Sequence, residues 1–157
     1  MTTEDTIVEL NGLIHTCEDG EQGYTTAATD VGNTELEIVF TEYAAQRRQF
    51  VRNLQAEVKR LGGDPDGAGS AGGTLLRGWM DVKSALTRRS GAAIIATCET
   101  GEEVAVAAFD WVVHLDISGR TRALVERQSK TIKAAHARLL RLKAEDAAGP
   151  RYPTDQN

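Results

Sequence analysis

Two glutamates sit in apolar helical stripes at matching places in the chain, and the chemistry of the sequence gathers around them. The run Thr16-Cys17-Glu18-Asp19-Gly20-Glu21 returns as Thr97-Cys98-Glu99-Thr100-Gly101-Glu102, identical at five of six positions with an offset of 81 residues. In each copy an apolar series at steps of three and four, Cys17 to Tyr24 and Cys98 to Ala105, passes through a carboxylate, Glu21 or Glu102, on the face that should point inward. Carried into the next helix of each half, the offset places Arg47 and Gln128 in equivalent positions to within a residue step. Glu21, Arg47, Glu102 and Gln128 are therefore expected to share one buried polar layer. Inward carboxylates can serve as metal ligands or as partners of a buried cation.

The elements that must position these residues read as helices. Apolar spacing predicts helices over about 4–31 and 34–61, the second opened by a capping box of Thr34 and Glu37. Two more are predicted over about 91–115 and 120–144, separated by the turn Asp116–Gly119. The offset sets Val51 on Ile132, Leu54 on Ala135, Val58 on Leu139 and Leu61 on Leu142, so the apolar register is kept in both halves. Two copies of a helical hairpin follow. Between them, residues 62–90 form a crossover: a Gly-rich loop over Gly62–Gly73, then a short amphipathic helix over Thr74–Leu86 carrying Trp79. A crossover of that length lets the second and third helices run parallel, which is the ferritin-like topology of an all-α four-helix bundle. Residues 1–144 are expected to form this one domain, and 145–157, with Gly149, Pro150 and Pro153, a flexible tail.

Composition agrees. Of 157 residues, 41% are hydrophobic, 5% aromatic and 26% charged, which suits an Ala-rich helical bundle and argues against a β-sandwich or a disordered chain. A net charge of -5 with interspersed basic residues argues against a nucleic-acid partner. The apolar runs are short and the first residues lack a basic and apolar leader pattern, so the expectation is a cytoplasmic chain with no membrane partner and two reduced cysteines.

The segments LIHTCEDGEQGY, YAAQRRQFVRNLQAEVKRLGGDP, LLRGWMDVKSAL, CETGEEVAV and RQSKTIKAAHARL, in this order over residues 4 to 144, resemble the bacterial ferritin-like four-helix-bundle proteins that carry a domain of unknown function. The resemblance implies the bundle fold and a cytosolic, often stress-associated setting. It supplies no reaction.

Ferritin-like di-iron bundles bring one Glu from each of two helices and Glu-x-x-His from each of the other two. Here the corresponding positions read Arg47-x-x-Phe50 and Gln128-x-x-Thr131, with neither carboxylate nor imidazole. A guanidinium repels a metal cation, so the layer reads as a degenerate di-metal site with no metal or other cofactor, Arg47 forking onto Glu21 and Glu102 and Gln128 supplying amide hydrogen bonds. Two carboxylates against one guanidinium leave a charge of -1, which a protonated carboxyl or a further cation would balance. The preferred reading is a non-catalytic scaffold or interaction protein. The competing one is an iron or manganese protein handling oxidation or peroxide through Glu18, Glu21, Glu99, Glu102 and His136, with Arg47 swung aside.

Other candidates carry less. Glu18 and Glu99 lie three residues before the inward glutamates and read first as solvated helix faces, with a cation at the rim as the alternative. His136, placed opposite Gln55 by the repeat, reads first as a packed core residue. His15 and His114 lie near helix ends without ligand spacing. Cys17 and Cys98 fall on opposite sides of the layer, roughly 12 Å apart along the axis at about 1.5 Å per residue, too far for a disulfide. Trp79 leaves two readings open, packing on the bundle or a homodimer contact through the crossover helix. No nucleophile elbow, phosphate loop or dinucleotide fingerprint occurs.

Overall fold

The structure is a computed structural model that describes residues 1–69 and 91–148. Trp79, the predicted crossover helix and the segment from Gly149 onward lie outside the described residues.

Four helices account for most of it: α1 (Thr3–Asp30), α2 (Thr34–Arg60), α3 (Gly91–Val113) and α4 (Gly119–Ala148). Their ends follow local chemistry. Thr2 caps α1 in a reciprocal box with Asp5. At the start of α2 the cap is Asn33, not the predicted Thr34: Asn33 has extended backbone and its Oδ1 accepts from the Leu36 amide at 3.1 Å, while Thr34 is already helical. The α2 terminus closes as a Schellman turn, Gly63 N–H to Val58 C=O at 2.9 Å and Gly62 N–H to Lys59 C=O at 3.0 Å, with Gly62 at φ +86°. Between α3 and α4 the Arg122 guanidinium donates to the carbonyls of Val113 and Leu115 at 2.6 and 2.7 Å, satisfying the open end of α3. Helix α4 runs to Ala148, four residues beyond the predicted end, because nothing between Ala144 and Gly149 breaks a helix.

The core is divided in two. One apolar cluster joins Tyr24, Ala27, Val39, Phe40, Ile94, Ile95, Cys98 and Leu139; the other joins Leu10, Leu13, Cys17, Leu54, Val58, Phe109, Val125 and Ile132. The first therefore contains the C-terminal half of α1, the N-terminal halves of α2 and α3, and the C-terminal half of α4. That grouping makes α2 and α3 parallel and each hairpin antiparallel, the ferritin-like order expected from the long crossover. Helix α1 packs along α2 and against α3, and α3 packs along α4, whereas α2 and α4 touch more sparingly.

The crossover leaves α2 along α1. Asn11 Nδ2 donates to the Asp64 carbonyl at 3.0 Å, and Gly69 lies against Gly12 so closely that a Cβ there would stand 2.7 Å from the Gly12 nitrogen. A side chain at residue 69 would meet backbone here, which is a physical use for glycine at that position. Among the described residues no helix is long and apolar enough to cross a membrane.

Candidate functional site

The polar layer lies between the two apolar clusters, and its membership differs from the expectation at one helix. On α1 the buried series runs Cys17, Gly20, Tyr24, Ala27, passing through Gly20 and not Glu21. Gly20 has no side chain to place there, and the space is taken by Arg47 from α2: a Cβ on Gly20 would lie 3.5 Å from the Arg47 Cγ and Nη1 atoms. Arg47 is the largest fully buried side chain of the described residues.

From α3, Glu102 reaches the same level and is wholly buried. Its Oε1 accepts from Nη2 of Arg47 and its Oε2 accepts from the hydroxyl of Tyr24. The Arg47 guanidinium carbon sits 5.5 Å from the centroid of the Tyr24 ring, so the phenol meets the ion pair with both its face and its hydroxyl. Nε of Arg47 donates to the Gln46 side chain at 3.3 Å.

Burial and the charges of the pair keep the Tyr24 phenol protonated and the Arg47 guanidinium charged. Burial, and after it the Glu102 charge, push the Tyr24 pKa well above that of a free phenol. Desolvation alone pulls the Arg47 pKa down, but the attraction of Glu102, with smaller contributions from Tyr24 and Cys17, leaves it raised. Burial lifts the Cys17 thiol to about 12, the Glu102 charge adding to the rise and Arg47 opposing it, and burial with the Glu102 charge raises Cys98 too. Both cysteines are free, buried and in different apolar clusters, so neither presents a thiolate nucleophile.

Glu21 lies outside the layer. It is partly exposed and accepts from Nε of Arg48 at 2.7 Å, a surface pair of modest energetic weight. One carboxylate thus faces one guanidinium in the core, and the charge of -1 expected from two glutamates does not arise. Gln128 is buried at the layer but its Nε2 donates to the Phe50 carbonyl at 3.4 Å and not to a glutamate. Glu18, the repeat mate of Glu99, is exposed.

Two further polar placements, Tyr24 and Glu57, escaped the sequence, and at the rim the sequence singled out Glu99 and His136 without Glu103 or Lys143. Tyr24 counted as an apolar stripe residue, although a buried phenol ordinarily needs a partner for its hydroxyl. Glu57 is buried near the start of α4, accepting from Nε of Arg60 at 3.0 Å and from Thr121 Oγ1 at 2.7 Å. At the rim, Glu99 accepts from Lys143 Nζ at 2.8 Å and, with Glu103, faces His136.

Residues 5–115 match the family described as a domain of unknown function, DUF2383. The chain belongs to that family. No curated protein sequence matches it. Among solved structures, this DUF2383 chain is similar to a two-domain protein of Anabaena variabilis containing DJ-1/ThiJ/PfpI-like and ferritin-like domains, at 16% identity and a TM-score of 0.78. The match covers 98% of the DUF2383 chain but 43% of that protein, and at this identity it shows the fold, which is ferritin-like.

A ferritin-like fold raises the question of a di-metal centre at mid-height, and the donor set of the layer does not fit one. The single inward carboxylate already accepts on both oxygens, and the group beside it is a cation. Iron or manganese at this level would have to displace a phenol and a guanidinium and then bind next to a buried positive charge.

Proposed function

We propose that this DUF2383 protein is a non-catalytic ferritin-like scaffold or interaction module in which a Tyr24–Glu102–Arg47 layer stands where related folds hold metal. The observation that carries the reading is the saturation of Glu102: guanidinium on one oxygen, phenol on the other, in a site sealed by apolar clusters above and below. Such a layer sets the register of the two hairpins, since only one axial alignment brings α2 and α3 partners to the same height. The stress-associated setting rests on the resemblance described above. A homodimer contact near Trp79 belongs to the same reading, and sedimentation of W79A would report it as a loss of dimer.

The reading is tested by mixing Fe(II) with the protein in air. Oxidation no faster than in buffer is the expected result, with no change in metal content for the Y24F/R47M/E102L triple variant, in which no buried charge is left uncompensated. Rapid oxidation, or bound metal that disappears in that variant, would overturn it and restore the competing metal chemistry at the inward glutamate.

A further inference from the structure

We propose that the rim between α3 and α4 carries a mononuclear site for a divalent first-row transition metal, formed by Glu99, Glu103 and His136. This goes beyond the scaffold reading, since it uses none of the residues of the buried layer.

Glu99 and Glu103 are one turn apart on α3 and project along one face. His136 reaches them from the antiparallel α4, its Nε2 lying 4.0 Å from Oε1 of Glu99 and 4.0 Å from Oε1 of Glu103. That nitrogen is buried and has no hydrogen-bond partner among the described residues, although both carboxylates stand in front of it. A polar atom held out of solvent and left unbonded is costly, and a metal ion supplies the missing partner.

The dimensions suit an ion. The three ligand atoms lie within 4.8 Å of one another. With two sides of that triangle at 4.0 Å, the point equidistant from all three is about 2 to 2.5 Å from each, against roughly 2.0 to 2.2 Å in bound zinc sites. Rotation of the exposed Glu103 side chain closes the remainder. One imidazole and two carboxylates form a borderline donor set, suited to Zn²⁺ and its neighbours in the first row more than to Mg²⁺ or Ca²⁺. Charge agrees: two carboxylates are opposed by one ammonium, Lys143, which binds the other oxygen of Glu99 at 2.8 Å and leaves the oxygen facing His136 available.

The internal repeat provides a built-in comparison. Moved back by 81 residues, the three ligands become Glu18, Gln22 and Gln55, which retain one carboxylate and no imidazole. The cluster therefore belongs to the second hairpin alone.

The test is titration of the full chain with Co²⁺, followed by its visible absorption, then displacement by Zn²⁺. One equivalent of Co²⁺ is expected, with affinity at least tenfold weaker in H136Q and in E103Q, unchanged in E18Q, and tighter in K143Q, where a competing positive charge is gone. Glu103 is exposed, so E103Q keeps the fold even if H136Q does not, and circular dichroism verifies this. Absence of a protein-bound Co²⁺ band, or wild-type affinity in E103Q, overturns the proposal. A Co²⁺ site lost in the Y24F/R47M/E102L variant but retained in E103Q would instead place the ion in the core and overturn both readings.

Discussion

The repeat makes Glu21 and Glu102 equivalent in sequence, and the fold makes them opposite in consequence, so neutralising each should give different results. In E102Q the Arg47 guanidinium stays buried without its counter-charge; both side chains of the pair are at most 1% exposed. Breaking a buried ion pair by removing one partner costs about 3 to 5 kcal/mol. Against a total stability of about 5 to 15 kcal/mol this is a large fraction. At about 2 to 4 °C per kcal/mol for a chain of this size, Tm should fall by roughly 6 to 20 °C. E21Q alters a half-exposed surface pair and should stay within about 0.5 kcal/mol of wild type. The Y24F/R47M/E102L triple, which replaces the whole layer by apolar groups, should recover most or all of the E102Q loss, because no charge or hydroxyl is then left unpaired. Urea unfolding monitored by circular dichroism gives all three values, with an unchanged slope as the check that the unfolding reaction is the same. If E102Q and E21Q cost the same, or if the triple variant is less stable than E102Q, the reasoning is refuted.

Other outcomes follow from the same structure. Y24F leaves one oxygen of a buried carboxylate without its donor and should cost about 1 to 3 kcal/mol in urea unfolding, with Arg47 and Glu102 both in place. The pKa of Glu57 is lowered in the fold, first by the Arg60 hydrogen bond and then by Thr121 and the nearby Arg60 and Arg120 charges. Relative to an unfolded carboxyl near about 4.3, its stabilisation is present above that pH and is lost as pH falls through the lowered folded value. Urea melts from pH 7 down to pH 2 should therefore show E57Q less stable than wild type by about 1 to 3 kcal/mol at neutral pH, the gap narrowing in acid; a pH-independent gap would contradict this. G69A should lower Tm, because its Cβ meets the fixed backbone of Gly12 at 2.7 Å, whereas G20A meets only Arg47 side-chain atoms at 3.5 Å and should be neutral or stabilising by up to about 1 kcal/mol through helix propensity. Equal losses in the two variants would count against the packing described.

Much of the architecture is legible in the amino-acid sequence. Helix spacing, the repeat and the long crossover determine two antiparallel hairpins with parallel central helices, and they put Arg47 and Glu102 on inward faces. These are properties of one helix or one offset, and they depend on local periodicity alone. Which residue of α1 completes the layer is not such a property. At about 100° per residue, steps of three and four from Cys17 reach Gly20 and Glu21 on either side of the same stripe, and both paths lead on to Tyr24. The choice is made by the neighbour: the Arg47 side chain occupies the volume over Gly20, and Tyr24 brings its hydroxyl to Glu102, so Glu21 turns outward to Arg48. The rim cluster has the same origin, since Glu99 and Glu103 reveal their partner only when the packing angle of α4 sets His136 between them. Sequence determined the helices, their order and the level of the polar layer; the tertiary structure alone decided the partners, because partner choice depends on side-chain volume and helix rotation across an interface, and periodicity within one helix is blind to both.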